Sequence, residues 1–123
     1  MNRLSSSQIL LLYHELTEER EPILTSDIAQ IADAPYAKDE EGFYIYKNVS
    51  QRAAMLGYGI MKASPFHKKN AEIAGLSILT LLEINNRRIM EKEIDMPDFM
   101  RVLKAKDYDA LVEWLEDNLI KKK

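Results

Sequence analysis

The sequence lacks cysteine and contains only two histidines, His14 and His67. These absences exclude disulfide scaffolds, thiolate metal sites, cysteine nucleophiles and histidine-rich metal centres. No apolar run reaches the roughly 18–20 residues that a membrane-spanning helix needs. The apolar run at residues 9–12 is too short for a signal peptide, and no small-residue cleavage site follows it. We therefore expect a cytoplasmic protein that binds no metal and does not enter a membrane.

An excess of positive charge is also missing. The chain carries 17 Lys and Arg against 20 Asp and Glu, which gives a net charge of −3. A general nucleic-acid binder would be basic, with its cations clustered on one face, so this class is disfavoured. Hydrophobic residues make up 46% of the 123 residues, which is enough for a core. The length suits a single domain that covers residues 1–123.

Apolar periodicity and helix-end signals predict an all-α bundle of about six helices. The fourth helix is apolar on nearly all sides, which is typical of a buried central helix. Between the second and third helices, an acidic turn and the residues 43–46 predict one short extended segment in a loop. The predicted helices run from Ser5 to a polar end at Arg20 before Pro22, from Thr25 or Ser26 to about Ala34, from Asn48 or Ser50 to about Ala63, from Lys69 or Asn70 to about Asn85, onward from Pro97, and from Asp107 to Leu119.

The link between the third and fourth helices, residues 64–72, contains two adjacent cations, Lys68 and Lys69. A helix N-terminus carries a partial positive charge and exposes amides that bind anions. One interpretation is therefore a site for a phosphate-sized anion at residues 67–71. The other is that both lysines face solvent at a small energetic cost, and charge alone favours it.

The order of residues in this link resembles the signature of the Fic/Doc (death-on-curing) family, His-Pro-Phe-x-(Asp/Glu)-(Gly/Ala)-Asn-(Lys/Gly)-Arg. Pro65, Phe66 and Asn70 fall in register with it. The apolar helix that follows, the first helix and the helix at residues 50–56 also resemble the family, so the resemblance covers nearly the whole chain. It implies a Fic/Doc-type bundle around a central helix, with residues 44–47 as a short strand-like flap over the active site.

The family transfers AMP or phosphate from a nucleotide to a protein side chain, and this sequence departs from the residues that the resemblance implies for that reaction. Ser64 replaces the histidine base, and a serine hydroxyl is a poor base near neutral pH. Lys68 replaces the acidic residue that holds magnesium, and its charge repels a metal ion. Lys69 and Ala71 occupy two further positions of the signature, and Glu72 reverses the charge of its arginine. Because such groups act as a unit, we expect ordinary transfer activity to be abolished.

Several residues of the link remain candidates for function. His67 is a weak candidate for a displaced base, because a shift of three positions moves a side chain by several ångströms. Phe66, Lys68, Lys69 and Asn70 are the predicted ligand-binding residues, and no residue is predicted to bind a metal.

Three hypotheses follow. The first is a catalytically impaired, toxin-like protein from a toxin–antitoxin or prophage locus. It would bind an antitoxin-like peptide or a protein, and the resemblance implies a translation factor as one such partner. No cofactor is expected in that case. The second is an active transferase that uses ATP or another nucleotide with Mg²⁺ and altered site residues. The third is a structural or oligomerising helical module without a ligand.

Overall fold

The computed structural model describes residues 3–17, 25–66, 69–89 and 96–121. Within these ranges the chain forms six α-helices and one short antiparallel ribbon, so the predicted all-α bundle is confirmed. In chain order the elements are α1 (Ser6–Thr17), α2 (Thr25–Asp33), a 3₁₀ helix (Ala34–Tyr36), α3 (Val49–Ala63), α4 (Asn70–Ile84), β1 (Arg87–Ile89), α5 (Met96–Lys104), α6 (Tyr108–Asn118) and β2 (Leu119–Lys121). None of these helices is both long and apolar enough to cross a membrane.

Local side-chain caps explain where three of the helices begin. The Ser5 hydroxyl accepts from the Gln8 amide at 3.2 Å, and the Gln8 side chain accepts from the Ser5 amide at 2.8 Å. Asn48 and Gln51 form the same reciprocal box before α3. The Asp107 carboxylate caps α6 through a 3.2 Å hydrogen bond from a first-turn amide. The predicted starts of these helices are therefore confirmed, whereas the predicted end of the first helix at Arg20 and Pro22 lies outside the described residues.

Helix α4 lies at the centre of the bundle and contacts α1, α3 and α5. Its fully buried side chains include Ile73, Ile78 and Leu82. The closest approach is to α3, where a Cβ built on Gly57 would lie 2.3 Å from Ile78 Cδ1. Glycine at this position therefore lets the two helices pack closely. Asn86, just after α4, adopts a left-handed φ of 61°, in agreement with the predicted stop there.

The loop before α3 is a tight turn and contains little extended structure. Its predicted extended segment consists of a single bridge between Lys38 and Tyr44. The Asp39 carboxylate accepts hydrogen bonds from the amides of Glu41 and Phe43, at 2.9 and 3.0 Å, and so closes the acidic turn.

The β1–β2 ribbon was not predicted. It pairs Arg87 with Lys121 and Ile89 with Leu119, and it joins the chain after α4 to the end of α6. Leu119, which the periodicity placed at the end of the sixth helix, instead begins β2. The helix stops at Asn118, where the backbone becomes extended.

Candidate functional site

The link between α3 and α4 begins with Ser64, which ends α3 in a left-handed conformation with φ 46°. Its amide donates to the Ile60 carbonyl at 2.8 Å, and its hydroxyl donates to the Met61 carbonyl at 3.3 Å. The side chain is exposed, and its hydroxyl bonds to the helix that Ser64 ends. The candidates His67 and Lys68 lie outside the described residues, so their assigned roles stay predictions.

Asn70, the first residue of α4, closes the link through its side-chain amide. Its oxygen accepts from the Phe66 amide and its nitrogen donates to the Phe66 carbonyl, both at 3.1 Å. Both polar atoms of the side chain therefore bind the backbone of the turn. Asn70 shapes the turn, and its predicted role in ligand binding stays a prediction.

The Phe66 side chain anchors this turn in the core. Its ring is only 5% exposed and stacks on Tyr13 of α1, with centroids 4.5 Å apart and planes 20° apart. A ligand at the surface of the turn would thus meet the Phe66 backbone, because the ring already packs against another ring. The predicted role of Phe66 in ligand binding stays a prediction.

The remaining residues at signature positions lie on both sides of the helix start. Lys69 is exposed and adopts a left-handed φ of 61° immediately before α4. Glu72 is exposed in the first turn, where its negative charge interacts favourably with the positive end of the helix dipole. Ala71 is 8% exposed and belongs to the core. The carboxylate of Glu72 thus stands at the surface, where it would repel a phosphate.

The segment at residues 44–47 does not cover this link, which corrects the expected position of the flap. The Tyr46 carbonyl accepts from Arg52 Nε at 2.9 Å, and the Lys47 amide donates to the Gln51 side chain at 2.8 Å. Both contacts hold the segment beside the start of α3. Helix α3 has 15 residues, so its two ends lie roughly 22 Å apart at about 1.5 Å per residue. The flap segment and the link therefore lie near opposite ends of this helix.

A cavity of about 630 Å³ also lies at the end of α3 away from the link. The Nε atom of Arg87 is buried and has no hydrogen-bond partner in the part of the chain that the structure describes. No local pattern in the sequence predicts this cavity, because its walls come from the start of α3, the end of α4, the ribbon and α6. The lining residues are Lys47, Asn48, Val49, Ser50, Asn85, Arg87, Glu116 and Leu119.

Among the described residues, no group of three or more His, Cys, Asp or Glu side chains could hold a metal ion. The expectation that the chain uses neither a metal nor another cofactor stays a prediction.

Comparisons of the chain with protein-family models, with curated proteins and with solved structures found no match. The likeness to the Fic/Doc family around Pro65, Phe66 and Asn70 therefore stays a prediction from the sequence.

Proposed function

We propose that this chain is a cytoplasmic, Fic/Doc-like toxin-type protein that acts by binding a protein or peptide partner, with its transferase chemistry lost or strongly impaired. The observation that carries the proposal is the turn between α3 and α4. Asn70 closes this turn on Phe66 at the start of the central helix. Ser64 and Glu72 occupy the positions at which the family signature has its base and its arginine.

The backbone of the turn supports the family likeness. Lys69 stands where the signature has Gly or Ala, and its φ of 61° lies in the region that favours glycine. A lysine there retains a backbone shape that costs it about 1–2 kcal/mol relative to an ordinary conformation. The conformation at Lys69 is thus one that the glycine of the family signature would adopt without this cost.

The side chains of the turn argue against efficient transfer. A positioned general base contributes about 10²–10⁴-fold to rate, and Ser64 offers only a hydroxyl that donates to the Met61 carbonyl. Electrostatic stabilisation of the transferred group needs positive charge, while Glu72 supplies negative charge. Binding of a partner needs neither function, so the scaffold can recognise a protein after the chemistry is lost.

The resemblance suggests the partner class. Fic/Doc-type toxins occur with neutralising peptides and act on proteins such as translation factors, so an antitoxin-like peptide or such a protein is the proposed partner, in a toxin–antitoxin or prophage setting. Ser64, Lys69 and Glu72 are exposed around the turn and present mixed charge to it.

Site-specific photo-crosslinking tests the binding role. A photoreactive residue would replace Glu72 beside the turn or, as a matched control, Glu113, an exposed glutamate on α6. We expect a discrete crosslinked species from position 72 in cells of the native host, and none of the same size from position 113. Equal patterns from both positions would contradict a partner site at the turn.

A transfer assay separates this proposal from the active-transferase alternative. The purified chain is incubated with labelled ATP, Mg²⁺ and a host lysate, and we expect no labelled protein above a control without the chain. Robust labelling that is lost in an Asn70→Ala variant would refute the loss of chemistry and support the alternative.

A further inference from the structure

Five side chains form an alternating stack of cations and tyrosine rings, which we call the cation–tyrosine cluster. Along the stack, the distances from each cation to the neighbouring ring centroid are 4.1, 5.4, 4.6 and 5.0 Å. The same five side chains line a cavity of about 290 Å³. In order, the members are Arg3, Tyr36, Arg52, Tyr44 and Lys38.

The surrounding structure holds these side chains in place. Arg52 is only 7% exposed, and its Nε donates to the Tyr46 carbonyl at 2.9 Å. The bridge between Lys38 and Tyr44 fixes the two sides of their loop against each other. Arg3 bonds Asp33 at 2.8 Å at the surface. A ligand would therefore meet a preformed guanidinium at Arg52, which lowers the entropic cost of binding, while the more exposed Arg3 and Lys38 would adjust around it.

The charges around the cavity are unbalanced. Three cations line it, and no carboxylate does so among the residues that the structure describes. Asp33 already compensates part of the charge of Arg3 through an exposed pair at 2.8 Å, whereas Asp39 accepts from two amides of its own turn. An anion in the cavity would be attracted by the three cations, and least by Arg3, because Asp33 already pairs with it.

The Tyr36 hydroxyl supplies an unused hydrogen-bond donor in this cluster. Its oxygen is buried and has no partner within the described ranges. Burial raises the pKa of Tyr36, although Arg3 and Arg52 lower it in part. The phenol therefore keeps its proton at neutral pH and can donate to an acceptor. A buried hydroxyl without a partner destabilises the fold, and an oxyanion would relieve that cost.

We propose that this cavity binds the phosphate group of a phosphate monoester. The guanidinium groups of Arg3 and Arg52 and the ammonium group of Lys38 neutralise its charge, and the Tyr36 hydroxyl donates a hydrogen bond to one oxygen. A phosphate offers the charge of nearly −2 and the acceptor oxygens that such a set of donors requires.

The volume restricts the ligand. At about 290 Å³, the cavity lies at the lower end of the size range of small-molecule sites, so it accommodates a phosphate group with little of its substituent. The phosphate can belong to a phosphorylated side chain of a protein or to a small metabolite. The site is independent of the function proposed for the α3–α4 turn, because the cluster packs beside the start of α3.

Calorimetric titration with inorganic phosphate at low ionic strength tests the site, with chloride as the control for ionic strength. Lys38→Ala and Tyr36→Phe are the test variants. Lys62→Ala is the matched control. Lys62 and Tyr58 both lie on α3, with the Lys62 Nζ 5.7 Å from the Tyr58 ring centroid, but Lys62 does not line the cavity. We expect the Kd to rise about tenfold in Lys38→Ala and a few-fold in Tyr36→Phe, with no change in Lys62→Ala.

Circular dichroism establishes that each variant is folded. The absence of saturable phosphate binding by the folded wild-type chain would overturn the proposal. So would a loss of affinity in Lys62→Ala equal to that in Lys38→Ala, since phosphate would then bind the protein's surface charge in general.

The source of the phosphate is determined with three further probes: a phosphoserine peptide, the same peptide with aspartate in place of phosphoserine, and a nucleoside monophosphate. Tighter binding of the phosphopeptide than of inorganic phosphate identifies a phosphoprotein, and tighter binding of the nucleotide identifies a metabolite. Equal affinity for the aspartate peptide and the phosphopeptide would overturn the assignment to phosphate in favour of a carboxylate.

Discussion

Phe66 and Tyr13 stack in the core with their ring centroids 4.5 Å apart, although one precedes the central helix and the other lies in the first helix. Both rings are at most 5% exposed. A stacked aromatic pair contributes about 0.5–1.5 kcal/mol beyond the burial of its area. Phe66 thus packs the start of the link, residues 64–66, against α1, and the bonds of Asn70 to the Phe66 backbone couple that conformation to the stability of the fold.

Replacing Asn70 with alanine should lower the stability of the whole domain. The substitution removes both hydrogen bonds to the Phe66 backbone and leaves a partly buried amide and carbonyl unsatisfied. We expect the free energy of unfolding in urea to fall by about 1–3 kcal/mol. The control is Asn118→Ala, which removes a single side-chain bond to the Trp114 carbonyl. An equal or larger loss in the control would show that the turn contributes little.

Replacing Lys69 with glycine should have the opposite effect. Its left-handed φ of 61° is unfavourable for lysine and accessible to glycine. Relief of the left-handed strain stabilises the folded state, and the greater flexibility of glycine in the unfolded chain offsets part of this effect. We therefore expect a net stabilisation of about 1 kcal/mol. Lys62→Gly, in the last turn of α3, should instead destabilise by up to about 1 kcal/mol. Thermal unfolding measures both changes, and a loss of stability in Lys69→Gly would contradict the observed backbone conformation.

Replacing Gly57 or Gly59 of α3 with alanine should change the stability of the fold in opposite directions. A Cβ on Gly57 would lie 2.3 Å from Ile78 Cδ1 and 2.9 Å from Ile78 Cγ1, in the fully buried contact with α4. Overpacking of this kind costs about 1–3 kcal/mol, more than the gain in helix propensity. A Cβ on Gly59 would meet Ile31 at 3.4 Å, an ordinary contact. We expect Gly59→Ala to stabilise by about 0.5–1 kcal/mol, and urea denaturation distinguishes the two signs.

Asp98 should make the stability of the α5–α6 contact depend on pH. Hydrogen bonds from Arg101 and then from Trp114 lower the pKa of its carboxyl below the usual value of 3.8. Because the folded-state pKa is depressed, the stabilisation is present above the unfolded-state pKa and is lost as the pH falls through the folded-state pKa. Asp98→Asn should therefore be less stable than the wild type at neutral pH, and the difference should vanish at strongly acidic pH.

The single tryptophan, Trp114, reports this titration directly, because its Nε1 donates to Asp98 at 2.9 Å. Its fluorescence should change with a midpoint below 3.8. Asp109→Asn, at an exposed position of α6, is the control and should leave that change in place. A midpoint at or above 3.8 would contradict the hydrogen-bonded arrangement.

The helical part of the fold could be predicted because its signals are local. The reciprocal caps at Ser5 and Asn48 involve residues three positions apart, and the structure confirms both. The stop after α4 depends on the tolerance of Asn86 for a left-handed conformation, again a property of one residue. The all-round apolar character of residues 73–84 likewise requires a buried position whatever the neighbouring helices are.

The rest of the structure depends on contacts that are distant in sequence. The ribbon joins Arg87 to Lys121, and no local pattern specifies that pairing. The cation–tyrosine cluster brings Arg3 beside Tyr36 and Arg52, which no spacing rule connects. In the α3–α4 turn, the sequence resemblance predicted a ligand-binding role for Asn70 but could not show that its amide binds the Phe66 backbone.

The β1–β2 ribbon also imposes an order on folding during synthesis. Arg87–Ile89 has no strand to pair with until Leu119–Lys121 has left the ribosome. At about 5–20 residues per second, that delay lasts roughly 2–7 s. During it, α1 to α4 can already pack, while the far end of α4 lacks the wall that Glu116 and Leu119 later provide. A nascent chain stalled in this interval would expose an unpaired strand edge. Chaperones that bind extended segments could bind the protein during that time.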